Sequence, residues 1–124
     1  MNRPTKYRAW ADEKMRDVRA ISFTEGGEVH RILDADGVQR VPKALLQFTG
    51  LHDKNGTEIY EGNLLKLAEG DDGSLYVCVV TWNDETAAFA CGKLNDSKPY
   101  SDHMYGANLA EVIGDIYQNP ELLK

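Results

Sequence analysis

Four sets of residues in this chain carry groups that could do chemistry. Ser101-Asp102-His103 has the letters of a nucleophile, an orienting carboxylate and a base. Adjacent residues do not make a triad, because the three groups must converge from separate parts of the chain. His52 lies beside Asp53, with Glu58 and Glu61 following. Carboxylates near an imidazole can exchange protons, yet a turn accounts for Asp53 and solvation for the glutamates. His30 falls mid-strand on a solvent face and His103 in a loop. Asp53-Lys54-Asn55-Gly56 opens like a calcium loop, but its glycine stands at position 4. Such loops need the glycine at position 6, so this chain turns too early. Cys78 and Cys91 are two thiols without the third and fourth ligands of a zinc site. They are read as small buried hydrophobes. No catalytic residue, cofactor or metal ligand is assigned.

A fifth set is basic and aromatic: Lys6, Arg8, Trp10, Lys14, Arg16 and Arg19. Such a patch suits a nucleic-acid backbone with stacked bases. Trp82, Tyr60, Tyr76, Tyr100, Tyr105 and Tyr117 could extend the stacking surface, although aromatics of a small β-protein more often pack in its core. The overall charge argues against a general nucleic-acid binder, with 14 basic and 20 acidic residues and a net charge of −6. The imbalance is uneven. Residues 1–50 hold nine basic and seven acidic groups (+2), and residues 51–124 hold five and thirteen (−8). A split of that kind can favour head-to-tail contacts between copies. No glycine-rich phosphate loop is present.

The elements that must position these residues are mostly strands. Period-2 alternation dominates and helical periodicity is scarce. The 124 residues fit one compact domain or two small lobes, and the 42% hydrophobic content is enough for a core. "MNRPTKYRAW" holds no apolar stretch of signal-peptide length. No run approaches the roughly 18 apolar residues of a membrane span. The expected setting is cytoplasmic, with reduced thiols and no membrane partner.

Strands are expected at "KYRAW", at "MRDVRAISF" with one irregular step, at "VHRIL" and at "VQRV". "KALLQF" reads as a turn of helix or a short strand. "NLLKLAE", "LYVCVVTW", "AAFACGKL" and "AEVIGDIY" follow as strands. A four-residue loop at 83–86 would place Trp82 opposite Ala87, and Cys78 opposite Cys91. Residues 95–108 read as a polar, mobile loop. Asn119, Pro120 and Glu121 begin a short terminal helical turn.

The stretch "FTGLHDKNGTEIYEGN", Phe48 to Asn63, is the most specified part of the chain. Asp53 can accept from amides two or three residues on, Asn55 tolerates strained φ, and Gly56 takes positive φ cheaply. Gly62 breaks the next strand and allows close backbone approach. With "KYRAW", "QFTGLHDKNGTEIYEGNLLKL", "VVTWNDETAAFA" and "EVIGDIYQNPELL" in order, the chain resembles the YopX protein family, small proteins of bacteriophages and prophages. The resemblance runs from about Lys6 to Leu123. Asn63 stands where that family usually has Asp, and Asp115 where Asn is common.

The resemblance implies one domain over 1–124, mostly β. An N-terminal β-meander lobe (1–50) would pack with a small Src-homology-3-like barrel (51–124), followed by a short C-terminal helical turn. It implies self-assembly and supplies no reaction. The expected function is a non-enzymatic phage accessory protein acting through protein contacts, as a homo-oligomer and with a phage or host protein. The alternative is a nucleic-acid-binding small barrel.

Overall fold

The computed structural model describes residues 5–69, 74–93 and 102–123. It is built from two antiparallel sheets and divides into two compact units, 1–48 and 49–124.

In the first unit, β1 (Tyr7–Ala11), β2 (Lys14–Phe23), β3 (Val29–Asp34) and β4 (Gln39–Arg40) run as a meander. β5 (Ala44–His52) returns to pair with β1, giving the order β4-β3-β2-β1-β5. In β1, Ala9 and Ala11 are buried while Arg8 and Trp10 alternate with them, as the strand period requires. Asp12 and Glu13 join β1 to β2 with φ of 50° and 60°, the backbone of a tight hairpin turn. β2 carries two register shifts, at Val18/Ala20 and at Ser22/Phe23, where one irregular step was expected. "KALLQF" is strand: Ala44, Leu45, Leu46 and Gln47 pair with Trp10, Ala9, Arg8 and Tyr7. A run this short gains little as an isolated helix, so pairing with β1 decides its state.

The second unit continues with the end of β5 and then β6 (Glu58–Tyr60), where the Thr49 hydroxyl donates to the Ile59 carbonyl at 2.8 Å. β7 (Asn63–Glu69), β8 (Ser74–Asn83), β9 (Ala88–Lys93), β10 (Asp102–His103) and β11 (Glu111–Asp115) form a sheet in the order β10-β9-β8-β7-β11. Its core joins Ile59, Leu65, Cys78, Val80, Cys91, Ala107 and Ala110, with Leu67, Tyr76 and Val112 packed against them.

The β8–β9 register differs from expectation by two residues. Trp82 pairs with Phe89 and Asn83 with Ala88, so Cys78 faces Lys93 and Cys91 faces Val80. Asn83 is the reason. Its Oδ1 accepts from the Glu85 amide at 2.9 Å, which makes it the last strand residue and moves the turn to 84–87. Ala87 closes that turn at φ 51°. A shift of two keeps each side chain on its face, and both thiols are buried as expected.

Part of the stretch read as a loop is ordered: β10 is followed by a 3₁₀ helix over Met104–Leu109. Residues 95–101 of that loop lie outside the described residues. The terminal helical turn is a 3₁₀ turn over Pro120–Leu123, with the Leu122 amide donating to the Asn119 carbonyl at 3.0 Å.

Candidate functional site

Asp53 organises the quoted stretch. Its Oδ1 accepts from the amides of Asn55 (2.8 Å) and Thr57 (2.9 Å). The Gly56 amide donates to the Asp53 carbonyl, and the Asp53 amide to the Thr57 carbonyl. Gly56 sits at φ +82°, while Asn55 keeps an ordinary negative φ. Oδ2 accepts from the Val112 amide of β11 at 2.9 Å, and the neighbouring Lys54 amide donates to the Ala110 carbonyl. The carboxylate is 5% exposed. Burial works against its charge, but the amides of Val112, Thr57 and Asn55, with Lys54 nearby, hold its pKa below the ordinary carboxylate value. Three backbone amides account for the burial of this carboxylate without any ligand.

Gly62 also behaves as a backbone joint, with φ of 83°. Its amide donates to the Val80 carbonyl, and its carbonyl accepts from the Ile116 amide. The next residue, Asn63, accepts from the Tyr60 amide at 2.7 Å and donates to the Gly114 carbonyl at 3.3 Å. Its register partner is Asp115, whose Oδ1 accepts from the amides of Tyr117 and Gln118. The two departures from the family pattern therefore face each other, one carboxamide and one carboxylate. Burial, then Glu61 and Asp115, push the Tyr117 hydroxyl upward.

Asp34-Ala35-Asp36-Gly37 reads from the sequence as a turn with Gly37 at positive φ, and Gly37 has φ 82°, but the role of the Asp34 carboxylate was not singled out. Asp34, 2% exposed, accepts from the Asp36 and Val38 amides through Oδ1, at 3.0 and 2.9 Å. Its Oδ2 meets Arg40 Nε at 2.6 Å and Arg16 at 3.7 Å, and Arg40 reaches on to Asp12 at 2.6 Å. The Arg40 guanidinium, then the Val38 amide, hold Asp34 below the ordinary carboxylate value despite burial. The signal was available in Asp34-Ala35-Asp36-Gly37, which has the spacing of Asp53-Lys54-Asn55-Gly56.

Strand pairing distributes the basic set over both sides of its sheet. Arg8 and Trp10 stand opposite Leu46 and Ala44, whereas Arg16 and Lys14 stand opposite Ala9 and Ala11. Directly paired residues share a face and successive residues alternate. Arg8 meets Asp17 at 3.5 Å, Arg16 donates to the Ala11 carbonyl at 2.9 Å, and Lys6 lies 5.5 Å from the Phe48 ring centroid. Arg19 is exposed on β2. Among the remaining candidates, His30 and His52 are exposed. Ser101 lies outside the described residues.

Apolar side chains are exposed at both ends of β3 in the first unit. Phe23 and Val29 pair across the β2–β3 hairpin and are 58% and 37% exposed. Val38 and Val41, on either side of β4, are 43% and 62% exposed.

The family model of the YopX protein matches residues 6–124. The chain belongs to the YopX protein family. Protein EF1440 from Enterococcus faecalis has a similar structure, at TM-score 0.71 and 24% identity, covering 99% of this chain and 100% of that one. Protein yopX from Bacillus subtilis is similar at TM-score 0.61 and 26% identity, covering 96% and 95%. A search of curated proteins returned no match. For this YopX-family chain, the Asp53 turn is thus a joint of the fold. Among the described residues no three metal-ligating side chains gather, and no helix is long and apolar enough to cross a membrane.

Proposed function

We propose that this YopX-family chain is a non-enzymatic accessory protein of a bacteriophage or prophage, placed in the host cytoplasm. It works through protein contacts, by association with copies of itself and with a phage or host protein. The observation that supports this reading is the exposed apolar pair Phe23 and Val29 at the β2–β3 hairpin, with Val38 and Val41 exposed beside β4. A pair of exposed apolar side chains facing each other across a hairpin suits a contact surface. The charge split between residues 1–50 and 51–124 favours the same reading. The five-stranded sheet of the second unit is read here as the frame of a Src-homology-3-like barrel.

Light scattering over a concentration series tests the assembly. A mass at a multiple of the chain mass is expected, falling toward one chain in Phe23→Ser. A strict monomer throughout the micromolar range rejects the reading. The nucleic-acid alternative draws less support, because Arg8 and Arg16 already meet Asp17 and Asp34. A salt-sensitive gel shift with DNA or RNA would restore it.

A further inference from the structure

We propose that Cys78 and Cys91 form a reversible internal disulfide, making the second unit responsive to oxidants of the peroxide class. Both thiols are buried, at 0% and 6% exposure. Their Sγ atoms lie 2.6 Å apart across β8 and β9. The reading of each as a small hydrophobe explains its burial. It does not explain why the two sulfurs meet, because the register opposes them to other residues: Cys78 to Lys93 and Cys91 to Val80. They touch along the diagonal of the ladder, on one face, inside the core shared with Leu65, Val80, Ala107 and Ala110. Diagonal neighbours in a sheet are normally farther apart than opposed ones, so the two side chains lean toward each other.

The chemistry balances with one peroxide. Cys91, the more exposed of the pair, attacks as thiolate and breaks the O–O bond, becoming a sulfenic acid and releasing hydroxide. The Cys78 thiolate then attacks that sulfur and expels a second hydroxide, leaving the disulfide. With the two thiol protons counted, two thiols and one hydrogen peroxide give one disulfide and two waters. A dithiol reductant reverses the step by thiol–disulfide exchange. The sulfurs are 13 positions apart in the chain, so the bond would close β8, its turn and β9 into one covalent ring. It would tie the hairpin to itself through the core of its unit.

The test uses the full chain in its native state. It is exposed to hydrogen peroxide, quenched, denatured, alkylated and weighed intact. The expected result is one species lighter by about 2 Da than the reduced chain, carrying no alkyl groups and monomeric on a non-reducing gel. Dithiothreitol should restore two alkylatable thiols. The oxidised chain should melt roughly 5 °C or more above the reduced chain. Cys91→Ser should abolish the loss of two hydrogens and leave Cys78 open to alkylation. Two alkylatable thiols after peroxide, stable sulfinic acids, or disulfide-linked dimers would each overturn the proposal. The wild-type measurement decides the matter even if a variant does not fold, and its outcome is independent of the assembly state.

Discussion

Asp34 and Asp53 each accept two amide hydrogen bonds through Oδ1, and each turn closes on a glycine at φ +82°. The backbone bonds match as well, with the glycine amide returning to the Asp carbonyl in both. The difference lies in Oδ2. In the first unit it meets the side chain of Arg40, which is itself shared with Asp12. In the second it meets the backbone amide of Val112, 59 residues away. A guanidinium on a flexible stem can swing to water or to Asp12 when its partner is lost. A strand amide cannot move. One local device is thus used twice, once to hold a charge network at the edge of a meander and once to fasten a distant strand.

The comparison can be broken most directly at the carboxylates. Asp53→Ala strands three amides and should cost roughly 3–5 kcal/mol in a urea melt. Asp34→Ala should cost clearly less in the same experiment. Equal losses would mean that the Arg40 network is as rigid as the Val112 bond.

The glycines test what the turns share. Gly37→Val and Gly56→Val should each cost about 1–2 kcal/mol, because both force a branched residue to positive φ. No atom lies within 4 Å of a Cβ added at either position, so the backbone cost should dominate and the two losses should match. An unchanged melting temperature for Gly56→Val would refute the turn reading.

Acid distinguishes the variants further. Both carboxylates are held below their ordinary value when folded. Their stabilisation is therefore complete above the unfolded carboxylate pKa of about 3.9, and is lost as pH falls through the lower folded values. Urea midpoints should drop on acidification toward about pH 3, and less steeply in Asp34→Asn and Asp53→Asn. The smallest effect belongs to Asp12→Asn, which cuts an exposed ion pair and should cost below about 1 kcal/mol. High salt should reproduce that loss in the wild type and leave the Asp53 turn untouched.

What was legible in the sequence follows the same division. Asp53 and Gly56 could be placed in a turn because Asn55, Thr57 and the Asp53 carbonyl, which close it, lie within a few residues, whereas Gly62 was legible only as a break, its partners Val80 and Ile116 being distant. Val112 could not be named as a partner of Asp53, since nothing local relates the two. The β8–β9 register was missed by two residues because Asn83 reads equally as strand end or turn start until its Oδ1 finds the Glu85 amide. "KALLQF" was undecidable alone and became strand only beside β1. The alternation of the basic residues was visible, but their pairing with Asp17 and Asp34 across the sheet was not.

The bond from Asp53 to Val112 and the pairing of β11 with β7 also set an order of events. β2 and β3 are joined by a short turn and can close as soon as both exist. β7 must wait for its β11 neighbour until residue 115 has been made, with a long loop to close before any reward. A chain emerging from the ribosome is therefore expected to show its meander while half of its second sheet is still missing. Pulse-labelled amide exchange during refolding should protect 18–34 before 111–115, because β7 can already pair with β8 while β11 is bound only by the long closure. The reverse order would show that the long closure comes first.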